Sequence, residues 1–166
     1  MKEINIRDIK VSAQEIISDG WGLVTAGTPE SFNTMTISWG ALGEIWGKDA
    51  AFIFIRLNRY TYEFLEKEQT FTLSFYGSEM RPALTICGRK SGRDCDKVKE
   101  AGLTPVTVDG AVTFGEAKYT LVCKTMASQL ITEDSFIDPA IKGNYNSDGS
   151  DLHKMYIAEI VKVYEN

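Results

Sequence analysis

The chain has 166 residues, 43% apolar and 11% aromatic, which is enough for one ordinary core and a single domain over residues 1–166. Lys and Arg number 18 against 23 Asp and Glu, a formal net charge of -5. That balance argues against nucleic acid as the main partner, because binding a polyanion draws on an excess of basic charge.

Three cysteines without a C-x-x-C pair and a single histidine supply no ligand set for a structural zinc, so free, reduced thiols are expected. Cys95 lies in a charged stretch where positive neighbours would lower its pKa, although it also reads as an incidental thiol. The opening MKEINIRDIKVSAQEI has no continuous apolar core of a signal peptide, and the longest apolar run, Ala50 to Ile55, is far short of a membrane span. The expectation is a soluble, cytoplasmic protein with no membrane contact.

In chain order, Val11 to Ser18 reads as a short helix with Ile16 and Ile17 turned inward and Gly20 ending it. Trp21 to Ala26 alternates as a first strand, and Thr28-Pro29-Glu30 is a turn. Asn33 to Trp39 is a second strand whose Asn33, Thr34, Thr36 and Ser38 face either solvent or a ligand. Ala51 to Leu57 carries the unbroken run Phe52-Ile53-Phe54-Ile55, which predicts burial on both faces and a place in the sheet centre or at a subunit contact. Thr61 caps a helix from Tyr62 to about Lys67.

Thr70 to Tyr76 alternates hydroxyl and apolar residues with period two and is a plain strand. Pro82 to Cys87 and Asp94 to Ala101 are short helices stopped by Gly88 and Gly102. Strands resume at Val112, at Lys118 to Cys123 and at Lys154 to Tyr164. Between the last two, Glu133 to Asp151 is acidic and rich in Asn, Asp, Ser and Gly, the composition of a mobile loop. Many strands, few helices and frequent glycines predict a mainly β, antiparallel barrel with helices at its ends, closure removing exposed edges.

Arg56, Arg59 and the hydroxyl of Thr61 meet at the end of the apolar strand, beside exposed helix N–H groups. Together they suit a phosphate. The stretch Ser91-Gly92-Arg93-Asp94-Cys95-Asp96-Lys97 has Ser91 and Asp94 spaced as in a capping box, and alone it reads as a solvated helix start. Trp39 alone is as readily core as site.

Taken together, N-x-M-T-x-S-W-G at Asn33 to Gly40, the apolar strand ending R-x-x-R-Y-T at Arg56 to Thr61, and S-G-R-D-x-D-K at Ser91 to Lys97 resemble the flavin reductase-like, FMN-binding split-barrel family, which includes flavoredoxin. The likeness covers roughly Trp21 to Lys124. It implies a Greek-key split barrel, paired as a homodimer with FMN at the subunit contact. The positions that match the family's flavin contacts are Asn33, Trp39, Thr61 and Lys97. Arg56, Arg59, Tyr60 and Ser91, Gly92, Arg93, Asp94 come second, with Thr36 and Ser38 suited to the ring's polar rim. In that reading no side chain need act as acid or base, so no catalytic residue is assigned, and the cysteine and histidine count gives no metal site.

What it implies for activity is hydride transfer from NAD(P)H to flavin N5, with the protein bringing donor carbon and N5 to about 3 to 3.5 Å. Lys97 would favour negative charge on the reduced cofactor. Two other readings stay open: an FMN electron carrier serving a redox partner protein without direct NAD(P)H activity, and a split-barrel binding module without flavin. His153 is either within reach of a nicotinamide or an ordinary surface or interface histidine. Gly43 to Asp49 is one residue short of a P-loop, and Gly20 to Gly27 is no dinucleotide fingerprint, so NAD(P)H would not sit in a Rossmann domain.

Overall fold

A computed structural model describes all 166 residues. Ten strands and three α-helices run in the order β1 (Lys2–Ile4), β2 (Gly22–Thr28), β3 (Ser31–Ile37), β4 (Gly40–Ile45), β5 (Lys48–Arg56), α1 (Tyr60–Lys67), β6 (Thr70–Phe75), α2 (Arg81–Arg89), α3 (Lys97–Glu100), β7 (Pro105–Val108), β8 (Ala111–Phe114), β9 (Tyr119–Leu130) and β10 (His153–Glu165). The main sheet is antiparallel, in the order β3-β2-β6-β9-β10-β5-β4, with β1 on β10; β7 and β8 form a separate ribbon.

The two outer strands of that path, β3 and β4, are joined by Ser38 and Trp39 alone. So short a link forces the sheet to curl until its two edges meet, yet no ladder joins them. The barrel is therefore split, and the split lies at Ser38–Trp39. The expected mainly β, antiparallel split barrel is what forms.

Inside the curl, Ile53, Ile55, Leu73 and Leu121 are essentially sealed from solvent, with Ile16 and Ile17 closing one end. Each such side chain contributes about 1.5–3 kcal/mol by leaving water. A second cluster, Leu23, Leu84, Cys87, Leu103 and Phe114, packs α2 and the small ribbon against the barrel wall.

Several boundaries differ from expectation for identifiable reasons. The first helix is a single wide π turn, Gln14–Asp19, and Gly20 leaves it in right-handed backbone at φ -72. The left-handed residue is instead Trp21 at φ 65, whose ring lies under the Arg81 guanidinium at 3.9 Å. Gly40, Gly43 and Glu44 hid β4, which pairs with β5 through a two-residue turn of left-handed Trp46 and Gly47. In β5 the inward Ile53 and Ile55 are buried, but Phe52 and Phe54 are only half-buried, so burial on both faces is incomplete.

Thr61 does not cap α1. The cap position is Arg59, and Thr61 sits buried in the first turn. Gly88 does not stop α2 but lies within it, where a Cβ would press on Thr36 Cβ at 3.3 Å. The third helix is one turn capped by Asp96, whose side chain accepts from the Lys99 N–H at 3.1 Å. Ser91 instead accepts from the Arg93 N–H, closing a tight turn before it.

The acidic segment, expected as a loop, carries some local structure. It forms 3-10 turns at Glu133–Ser135 and Pro139–Asn144, and it is pinned back at Asp151, which pairs with Arg56. No helix is long and apolar enough to cross a membrane.

Candidate functional site

At the split, a cleft of about 250 Å³ opens between β3 and β5. Its walls include Thr36, Ser38, Trp39, Phe54, Arg56, Arg59 and His153. Arg59 continues into a second cavity of about 240 Å³ with Tyr60, Thr61, Arg89, Ser91 and Lys97. Tyr60 and Lys97 in turn border a third, of about 550 Å³, where Asn33 and Gly92 also lie. The three separated sequence motifs thus line adjoining cavities that share Arg59, Tyr60 and Lys97, together called the groove below.

The electrostatic centre of the groove is a pair of cations without an anion. Arg59 donates to the Gly88 carbonyl, and Lys97 Nζ donates to the Cys87 and Lys90 carbonyls at 3.4 and 3.3 Å. All three carbonyls belong to the C-terminal end of α2, the negative end of its dipole, which holds both side chains in place. Neither is bridged to a carboxylate. Lys97 is 3% exposed, and burial pushes its ammonium down to about 8, with Arg59 adding repulsion. Burial and then Arg56 lower Arg59 in the same way. No side chain caps α1, so its first amides are left for an outside acceptor.

Other expected residues are placed differently. Asn33 Nδ2 donates to Thr61 Oγ1 at 2.7 Å, tying β3 to α1, and Thr36 Oγ1 donates to the Leu84 carbonyl at 2.5 Å, tying β3 to α2. Thr34 lies on the outer face of the sheet, the side that α2 and the small ribbon cover, where it is sealed and bonds Thr25, meeting neither solvent nor groove. Gly92 crosses Asn33 so closely that a Cβ would lie 2.2 Å from Asn33 Oδ1.

Arg93 pairs with Glu63 and stacks on Tyr60 at 4.6 Å, bracing the rim, and Asp94 is exposed; neither lines the groove. Arg56 is occupied by Asp151 and by the Asn144 carbonyl at 3.1 Å. Cys95 is raised by burial and then by Glu100, opposite to the expected lowering.

His153 is neither a surface residue nor idle. It is buried, its Nδ1 meets the Tyr145 hydroxyl at 2.9 Å, and Trp39 lies across it with ring centroids 5.2 Å apart. Burial, then Arg56, lowers it to about 4, so the ring is neutral near pH 7. Arg89 was not legible as a groove residue, nor were Tyr145 and Asp151 as the residues that hold His153 and Arg56 beside it. Tyr145 and Asp151 arrive on a segment whose composition reads as loop, and Arg89 sits past the predicted end of its helix.

The fold is thus a split antiparallel barrel, with two cations that have no carboxylate partner beside the uncapped start of α1. The chain belongs to the flavin reductase like domain family, whose model matches residues 15–166. No curated protein matches it significantly. Among solved structures it is similar to flavoredoxin from Methanosarcina acetivorans, with a TM-score of 0.70 and 16% identity over 100% of this chain and 76% of that one. It is also similar to an FMN-binding domain of a flavin reductase-like enzyme from Shewanella baltica, with a TM-score of 0.69 and 17% identity over 99% and 76%. An NADH:FAD oxidoreductase from Streptomyces globisporus aligns with a TM-score of 0.65 and 15% identity over 89% and 75%. Likenesses at these identities carry the fold.

Proposed function

We propose that the chain is an FMN-binding oxidoreductase of the flavin reductase type that draws electrons from NAD(P)H. The observation that carries this reading is the pair Arg59 and Lys97, buried or half-buried, held on one helix end and without a carboxylate partner. Unneutralised buried charge is costly, and a phosphate dianion between the two cations and the α1 amides would offset that cost.

When bound, FMN supplies acceptance of a hydride at its ring N5. The chain's residues bind, orient and shield. Arg59, Lys97 and the α1 amides hold the phosphate end. Trp39 and Phe54 give the cleft its flat apolar walls, and the Ser38 hydroxyl offers a rim hydrogen bond. Neutral His153, held by Tyr145, packs against Trp39, which itself stays 49% exposed. Uncharged near pH 7, the His153 ring keeps one N–H and has no imidazolium proton to release. Lys97 keeps its proton at Nζ below about pH 8 and so favours negative charge in the groove.

The purified protein should be yellow or take up added FMN, and should consume NADH or NADPH under air or with a ferric acceptor. Failure to bind FMN removes the reading. The alternative, an FMN electron carrier for a redox partner protein, draws support from Ile137, which stands fully exposed on the acidic segment as an apolar contact point. Flavin binding without NAD(P)H consumption favours it. Assembly as a homodimer is part of the proposal, supported by half-buried Phe52 and by Trp46 and Val161, 61% and 49% exposed. Sedimentation equilibrium at twice the chain mass is the expected result.

A further inference from the structure

The segment between β9 and β10 carries an apolar tip in an acidic setting. Ile137 is 99% exposed, and Ile141 is exposed a few residues further on. Glu133 is paired with Lys142 and Asp151 with Arg56, but Asp134, Asp138 and Asp148 are exposed and have no cationic partner. An apolar centre with a rim of one charge sign is the anatomy of a protein contact, and the negative sign selects a basic partner.

What lies behind that tip ties it to the cleft. Phe136, next to Ile137, stacks on Tyr145 with ring planes 9° apart and centroids at 5.3 Å. Tyr145 meets His153 edge-on at 5.5 Å, and their 2.9 Å hydrogen bond joins the hydroxyl to Nδ1. His153 in turn lies 5.2 Å from Trp39, and both line the cleft. Within 132–148 only Phe136 and Tyr145 are half-buried, and every other residue is exposed. An unbroken row of four aromatic rings thus runs from the acidic surface to the cleft, and coupling between two sites is carried by such contiguous packing.

We propose that the acidic segment tipped by Ile137 is the docking surface for a basic, one-electron acceptor protein, and that the row from Trp39 to Phe136 is the packed route by which electrons reach it. Two ferric acceptors in turn each take one electron and become ferrous, and the N5 proton passes to water as the reduced, anionic cofactor is reoxidised. The transfer half rests on the reading above that flavin is reduced in the cleft. The docking half does not.

The test titrates the flavin-free chain with ferric cytochrome c, a basic haem protein, by calorimetry at low and at physiological ionic strength. The expected result is binding that salt weakens, and that falls roughly tenfold or more in Ile137→Ser and in the double variant Asp134→Asn with Asp138→Asn. Asparagine keeps an acceptor for the Ala140 N–H that Asp138 now holds, so the local turn is preserved. Glu68→Gln with Glu79→Gln makes the same change in net charge at exposed acids elsewhere and should leave binding unchanged. A second readout uses the FMN-loaded chain with NADH or NADPH. Phe136→Leu should bind cytochrome c as the wild type does and reduce it more slowly, while reduction of ferricyanide, a small acceptor that needs no docking, keeps the wild-type rate. Sedimentation should give Ile137→Ser the same mass as the wild type.

No binding by the wild type, binding kept in the Ile137 and Asp134 with Asp138 variants, or binding lost equally in the Glu68 with Glu79 control overturns the docking surface. A wild-type dimer that Ile137→Ser turns into a monomer assigns the tip to a second copy of the chain and overturns it as well. Cytochrome c reduction indifferent to Phe136→Leu overturns the route and leaves the docking. A chain that binds cytochrome c in the expected pattern but takes up no FMN overturns the reading above and leaves the docking standing.

Discussion

Lys97 carries its cost in plain view. Below about pH 8 the folded chain holds a buried ammonium. Between there and the usual lysine value of 10.5, the unfolded chain keeps a proton that the folded chain has shed, so apo stability rises with pH across that window. Lys97→Met should therefore stabilise the apo protein near pH 7, by up to about 3 kcal/mol, while weakening FMN; urea unfolding and flavin titration measure the two halves. In the wild type, FMN affinity should fall as pH rises past about 8. His153 acts in the acid range. Its folded value is about 4 against an ordinary 6.5, so the unfolded chain binds the extra proton between them, and stability present above pH 6.5 is lost as pH falls toward 4. His153→Gln should flatten that loss in melting temperatures recorded from pH 7 to 4.5. An unchanged acid slope would place the titration elsewhere.

Elements explain what was legible. Runs with an unbroken period, β5 and β6, were readable because their side chains meet the core directly. The Arg56 to Thr61 corner was readable only in part: Arg56 is tied to Asp151 and Thr61 to Asn33, and Arg59 alone of the three is left without a side-chain partner. The strand β4 was hidden by Gly40 and Gly43, whose place is fixed by pairing with β5 and not by their own propensity. In the segment from Glu133 to Asp151 the 3-10 turns and the long-range anchors, Asp151 on Arg56 and Tyr145 on His153, were not legible, because composition does not display them. Asp151→Asn should release it, seen as faster amide exchange and proteolysis confined to 133–151 with the barrel unaffected. The stability loss should fall below the 3–5 kcal/mol typical of a fully buried pair, because the Arg56 side chain keeps 29% of its exposure. Uniform exchange across the chain would show the pair supports the whole barrel instead. Gly92→Ala should drive Asn33 off Thr61 and cut flavin affinity, since the new methyl meets the Asn33 amide.

At the scale of the whole molecule, one topological fact organises the rest. Ser38 and Trp39 join the first and last strands of the sheet, so the barrel can close only to a slit, and the residues of three distant motifs line the groove that starts there. The sequence motifs named many of those residues, but only the closed fold shows that Asn33 and Thr36 brace the groove while Arg59 and Lys97 are left without an anion. The phosphate-binding role of that pair is the central claim. Its most direct test compares FMN with riboflavin, which lacks the phosphate, by fluorescence titration of the wild type and Arg59→Ala. The account predicts FMN tighter than riboflavin by at least tenfold in the wild type, with a loss of about 1.5 to 3 kcal/mol for FMN alone in the variant. Equal affinity for the two flavins, or an FMN affinity indifferent to Arg59, would contradict it.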